Sequence, residues 1–246
     1  MTWVYLSPHF DDVALSCGGL VWEQAQSGVL VSIWTVCAGE LPPGKLSPFA
    51  QQLHARWGAG QNAPGVRRRE DVNSCRRLGA SYQYFTIPDC IYRCHPQTGE
   101  FMYASEKSLN GSLHPGDASI VHDLRKELQR TLTPDTTVVC PLALGAHVDH
   151  QLTRQAVEEM KWKLCYYADF PYALGGNTLV EQMDGAGWDC QTFPISPEGL
   201  TAWQDSISAH SSQISTFWSS ELEMRRAVSD YLQAYGGVRL WSKLDP

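Results

Sequence analysis

Residues 2–37 read TWVYLSPHFDDVALSCGGLVWEQAQSGVLVSIWTVC, and two periodicities alternate within them. Residues 2–7 (TWVYLS) and 29–37 (VLVSIWTVC) are short runs rich in β-branched and aromatic residues, as buried strands are. Between them, DDVALSCGGLVWEQAQSG carries apolar residues at helical spacing and stops on Gly28. The stretch is a strand, a helix and a strand.

The alternation continues outward. A helix is expected from about Arg67 to Arg77, closed by Leu78-Gly79 and followed by the strand-like SYQYFTIPD. SIVHDLRKELQRTL fits an amphipathic helix, TTVVCPLAL a buried strand, VDHQLTRQAVEEMK a helix and KLCYYADF a further strand. Such alternation predicts an open α/β domain with a mainly parallel sheet and helices on both faces. Two stretches interrupt it: residues 40–66, rich in Gly and Pro, and residues 92–117, long enough to form a lid. From Pro197 to about Tyr235 the pattern is largely helical.

Composition limits what such a domain does. The chain has 246 residues, of which 43% are apolar and 18% charged, enough for one substantial core. Nineteen basic residues against twenty-six acidic ones give a formal charge of −7, which opposes binding to nucleic acid or to an anionic membrane surface. No apolar run approaches the roughly 20 residues of a membrane-spanning helix, and MTWVYLSPHFDD has no hydrophobic signal core. A cytoplasmic protein with a small-molecule partner, and neither nucleic acid nor membrane as a partner, is expected. The eight cysteines form no C-x-x-C pair and read as reduced, mostly buried thiols. Cys90 and Cys94 are a close pair whose spacing is a weak signal for metal or disulfide.

Chemistry concentrates where strands give way to helices. Ser7-Pro8-His9-Phe10-Asp11-Asp12 stands at the end of the first strand, and Gly145-Ala146-His147-Val148-Asp149-His150 follows TTVVCPLAL and opens a helix. Open α/β sheets bind ligands beyond the carboxyl ends of their strands, so both segments belong to one edge. A catalytic zinc takes three protein ligands and keeps an open position for water. Neither segment alone supplies three ligands and a free base; together they do.

With H-x-D-D after the first strand and H-x-D-H far downstream, the chain resembles the LmbE/PIG-L family of zinc-dependent N-acetylglucosaminyl deacetylases over most of its length. Arg67-Arg68-Arg69-Glu70 running into Leu78-Gly79, and Ser212-Gln213 near the C-terminus, are similar to further elements of that family. The resemblance implies a Rossmann-like single domain over residues 1–246 that removes an acetyl group from an N-acetylated amino sugar or its conjugate. It implies His9, Asp12 and His150 as metal ligands, Asp11 as general base and Arg67 as a substrate contact. His147, as imidazolium, would face the developing oxyanion or the leaving group, with Asp149 holding its ring in one tautomer and raising its pKa. The cofactor implied is Zn2+, although two histidines and an aspartate also suit Fe2+ or Co2+. The chain departs from the family's common H-P-D-D-E at Phe10 and Val13, and has Gly145 where some members place a tyrosine.

Other readings compete less well. Gly58-Ala59-Gly60-Gln61-Asn62-Ala63 fits a degenerate dinucleotide fingerprint but follows a helical run. No G-x-S-x-G elbow of a serine hydrolase occurs. A zinc hydrolase of another amide and a non-catalytic sugar-binding relative remain as alternatives. His54, His95, His114, His122 and His210 lack ligand spacing, with His114 in the expected lid a weaker candidate for substrate contact, and Tyr166, Tyr167, Phe170 and Tyr172 offer either a stacking wall for a sugar or core.

Overall fold

The strand, helix and strand of residues 2–37 are realised as β1 (Thr2–Ser7), α1 (Asp12–Gln26) and β2 (Leu30–Thr35). The computed structural model describes residues 2–60, 62–160, 162, 164–175 and 187–244. β3 (Ser81–Tyr84) pairs with β2, β4 (Thr136–Pro141) with the other side of β1, and β5 (Leu164–Tyr167) with β4, all parallel. The sheet has seven strands in the order β3-β2-β1-β4-β5-β7-β6. β6 (Trp188–Phe193) and β7 (Val238–Lys243) form an antiparallel ribbon, with β7 antiparallel to β5. Neither strand was expected from the sequence. Their six-residue runs lie outside the strand-helix alternation, and the ribbon is defined by cross-strand pairing.

From β1 the chain moves outward through β2 and β3, then crosses back to β4 on the other side of β1. α1 and α3 (Ala63–Leu78) pack together, as do α5 (Ala118–Thr131) and α6 (Val148–Glu158), the two pairs that right-handed crossovers in opposite directions put on opposite faces of the sheet. The strand order reverses between β1 and β4, so their carboxyl ends diverge and open a cleft. Val4, Tyr5 and Leu6 of β1, Ile33 of β2 and Val138 and Val139 of β4 are buried, as expected for strands covered on both faces.

α7 (Pro197–Ser208) lies on α1, and Trp203 Nε1 donates to the carbonyls of Ala14 and Leu15 at 2.8 and 3.1 Å. Glycine at position 18 allows this approach, because a Cβ there would stand 2.6 Å from the indole. α8 (Ile214–Phe217) and α9 (Glu221–Tyr235) complete the helical C-terminal part.

Two boundaries differ from the sequence reading. Residues 40–66 contain α2 (Pro48–Arg56), started by the Ser47 side chain accepting from the Ala50 amide with Pro48 in the first turn. α3 begins at Ala63 rather than near Arg67, capped by Asn62 and primed by Pro64; Gly79, at φ +70°, closes it. Residues 92–117 hold the single turn α4 (Glu106–Leu109) and a 3₁₀ turn at Pro115–Asp117. Among the described residues no helix is long and apolar enough to cross a membrane. Cys17, Cys37, Cys75, Cys90 and Cys140 are buried thiols; Cys94 is exposed, and no disulfide joins it to Cys90.

Candidate metal centre and active site

The turn leaving β1 is built on three short hydrogen bonds. Ser7 Oγ donates to the His9 carbonyl at 2.5 Å and accepts the Val13 amide at 3.1 Å, while Asp12 Oδ2 accepts the His9 amide at 2.6 Å. This lock turns His9, Asp11 and Asp12 into the cleft at the strand ends.

Asp12 lies between two imidazoles. Its Oδ2 is 3.2 Å from His9 Nδ1 and its Oδ1 is 3.4 Å from His150 Nε2. In each ring the remaining nitrogen faces another carboxylate: His9 Nε2 lies 2.9 Å from Asp149 Oδ2, and His150 Nδ1 lies 2.5 Å from Asp169 Oδ1. Asp169 is fixed in turn by the Leu144 amide, which donates to its Oδ2 at 2.8 Å. A carboxylate behind each histidine sets the tautomer and leaves the opposite nitrogen free as a donor atom, the arrangement usual around metal-binding histidines. The nitrogen and oxygen donors of His9, Asp12 and His150 therefore suit a divalent metal of the zinc, iron or cobalt type. Burial alone would lower the His150 pKa, but Asp12 and Asp169 outweigh it and push it up to about 10.

His147 caps α6, its Nδ1 accepting the Asp149 amide at 3.2 Å. Its ring meets His9 edge-on with centroids 4.8 Å apart. Burial, together with the neighbouring His9 and His150, pushes its pKa down to about 3. The structure gives the Asp149 carboxylate partners other than the His147 ring. The Asp149 carboxylate serves His9, the Cys90 amide at 3.1 Å and Arg93 at 2.6 Å, and only its backbone N–H meets the His147 ring. A neutral ring that accepts at Nδ1 carries its proton on Nε2 and remains a hydrogen-bond donor.

Asp11 occupies the N-cap position of α1 yet makes no side-chain capping bond. Instead, Arg67 Nη2 donates to its Oδ1 at 2.9 Å, and Arg67 Nη1 reaches Asp89 Oδ2 at 3.3 Å. The guanidinium is held over the Trp57 ring at 5.0 Å and the Phe10 ring at 5.7 Å. Phe10, the departure from the family pattern, thus supports Arg67. Glu70, one helical turn on, accepts from Ser211 Oγ and from the amide and hydroxyl of Ser212, which pins the turn carrying Gln213.

The cavity over this cluster is lined by His9, Asp11, Asp12, His147 and His150, with Arg67, Asp89, Trp57, Tyr172, Gln213 and Phe217 around it and Glu106, Leu109 and Asn110 from the 92–117 segment. Of the four aromatic residues suggested as a stacking wall, only Tyr172 lines it; Tyr166, Tyr167 and Phe170 are core. Tyr172 lies against Gly145, where a Cβ would come within 2.8 Å of its ring. An aromatic side chain from beyond β5 thus stands over the glycine. His54 is a packed polar residue, 2.6 Å from Tyr92 Oη. Gly58 and Gly60 follow α2 with no strand before them, which removes the dinucleotide reading. Asp89 and Asp169 were missed by sequence reasoning, although each stands at the end of a strand-like run and the strand-end rule reaches both.

The chain is similar to known deacetylases. The chain is 28% identical over 205 residues to a 2′-N-acetylparomamine deacetylase of Niallia circulans, covering 75% of this chain and 71% of that protein. It is 29% identical over 176 residues to a protein of the same name from Streptomyces fradiae, covering 68% and 56%. The crystal structure of the zinc-inhibited form of teicoplanin deacetylase Orf2 matches with a TM-score of 0.79 at 25% identity, over 98% of this chain and 97% of that one. Residues 4–161 match the family described as PIG-L: GlcNAc-PI de-N-acetylase, and the chain belongs to that family.

Proposed function

We propose that this deacetylase hydrolyses the amide of an N-acetylated amino sugar or its conjugate, with His9, Asp12 and His150 holding a zinc ion and Asp11 as general base. The observation that carries the reading is the convergence of His9 Nδ1 and His150 Nε2 on Asp12, each ring backed by its own carboxylate, beside an Asp11 turned into the cavity by Arg67. A divalent metal bound there supplies Lewis acidity toward the amide carbonyl and makes water acidic enough to lose a proton near neutral pH.

The protein's own groups account for the remaining steps. Asp11 accepts the water proton and returns it to the departing nitrogen, so that water and amide become acetate and a free amine. His147 donates from Nε2 to the oxygen that gains charge in the tetrahedral state. Arg67 orients Asp11 and, with Asp89, offers polar contacts to sugar hydroxyls, while Trp57, Tyr172 and Phe217 offer apolar faces to the ring. The relatives that deacetylate 2′-N-acetylparomamine support the sugar class. The same reading takes residues 1–246 as one domain and residues 92–117 as a cover, supported by the contribution of Glu106, Leu109 and Asn110 to the cavity.

The test is metal analysis of the purified protein combined with a free-amine assay on N-acetylated amino sugars, in parallel with zinc, iron(II) or cobalt(II). Metal-dependent amine release supports the proposal. A chain that binds metal but cleaves only a different amide or an ester contradicts the sugar assignment.

A further inference from the structure

Asp149 and Asp117 are two wholly buried carboxylates, and one cation lies between them. Arg93 Nη2 is 2.6 Å from Asp149 Oδ1 and 3.1 Å from Asp117 Oδ2, and only 4% of the Arg93 surface is exposed. The guanidinium stands 5.3 Å from the centre of the Tyr103 ring. Tyr103 Oη donates to Asp117 at 2.7 Å and accepts the His114 amide at 2.7 Å. The pairing is ionic: among the described residues no well-directed hydrogen bond reaches the Arg93 nitrogens or Asp149 Oδ1.

Apart from Asp149, this network lies outside the family motifs in the sequence, yet it ends on one of the metal-site histidines. Asp149 Oδ2 takes His9 Nε2, and among the described residues the cation paired with its other oxygen is Arg93. A buried carboxylate stripped of its cation is strongly disfavoured and moves toward water or another partner. That movement releases His9 Nε2 and lets the ring turn.

We propose that Arg93 is a positioning residue of the metal centre: it holds Asp149 against His9 Nε2, keeps His9 Nδ1 turned toward Asp12, and thereby ties metal affinity to the 92–117 segment through Asp117. The inference rests on the metal-centre reading above. Partners that stand behind metal ligands typically change metal affinity by about 10- to 100-fold when removed, and Arg93 stands one residue further back, behind Asp149.

The test is equilibrium Zn2+ titration of the full chain against a chromophoric chelator at fixed pH, with Co2+ visible absorption reporting ligand geometry. Arg93→Met keeps the apolar stem without charge, and Arg93→Lys keeps a charge that reaches one carboxylate but not both. Affinity is expected to fall in the order wild type, Arg93→Lys, Arg93→Met, by about 10-fold or more overall, with an altered Co2+ spectrum. In an Asp149→Asn background the residue at position 93 is expected to make no further difference. Wild-type affinity in Arg93→Met, or a loss that persists undiminished alongside Asp149→Asn, overturns the proposal. If Arg93→Met does not fold, the loss in Arg93→Lys with and without Asp149→Asn decides the same point. A wild-type chain that binds no divalent metal overturns the metal-centre reading itself, a result distinct from normal binding that is indifferent to position 93.

Discussion

Asp11 shows how a single side chain departs from its ordinary use. An aspartate at a helix N-cap normally accepts an amide of the first turn, whereas here the carboxylate turns away and pairs with Arg67. Asp11→Asn keeps the shape but removes the proton acceptor, so turnover is expected to fall by about 10²- to 10⁴-fold while metal content stays at the wild-type level; steady-state kinetics with metal analysis on one sample checks both. Asp169→Asn leaves His150 Nδ1 with a poorer partner and should weaken metal binding by about 10- to 100-fold, read by zinc titration. Affinity within about twofold of wild type would show that the bond to Asp169 does not orient His150. The histidines and Asp12 were legible because their motif spacing carries the chemistry. Arg93 was not, since nothing in YRC announces a cation that meets Asp117 and Asp149 only after folding.

At the scale of elements, the turns after β1 and β4 deliver the site. The turn between β4 and α6 needs left-handed backbone at Gly145, φ +83°, and Ala146, φ +57°, and Tyr172 covers it. Gly145→Ala adds about 1–2 kcal/mol of backbone strain and pushes a methyl into the Tyr172 ring. Urea denaturation should show that loss or more, and adding Tyr172→Ala should recover only the part due to the clash. A neutral Gly145→Ala would refute this account of the turn. The β1-α1-β2 unit was readable because a period of two and a period near 3.6 alternate within 36 residues. Of α2 only the helical run QQLHARW was legible; its start lies in Ser47-Pro48, a capping signal that a search for periodicity passes over. β6 and β7 escaped because an edge ribbon is set by pairing with β5, which local sequence does not encode.

At the scale of the whole molecule, a buried carboxylate on the helix that carries Arg67 imposes an internal cost. Asp71, 1% exposed on α3, accepts Tyr84 Oη at 2.8 Å, and burial pushes its carboxyl up to about 7. In the unfolded chain an aspartate titrates near 3.9, so between about pH 4 and 7 the folded state holds a proton that the unfolded state has lost. Asp71 therefore makes stability fall as pH rises through that window and level off above it, by up to a few kcal/mol. Asp71→Asn should gain on the wild type as pH rises from 5 to 8 in urea denaturation; parallel curves would contradict this. The open α/β sheet and its functional edge were both legible from the order of elements, while cavity shape depends on α2, residues 92–117 and the turn at Gln213, whose packing no motif specifies. The measurement closest to the central claim is simultaneous quantification of free amine and acetate from a panel of N-acetylated amino sugars, using metal-stripped, metal-reconstituted and Asp11→Asn protein. The account predicts equimolar amine and acetate from at least one sugar with the reconstituted protein, and no release from the other two. Amine release that persists without metal, or in Asp11→Asn, would contradict it.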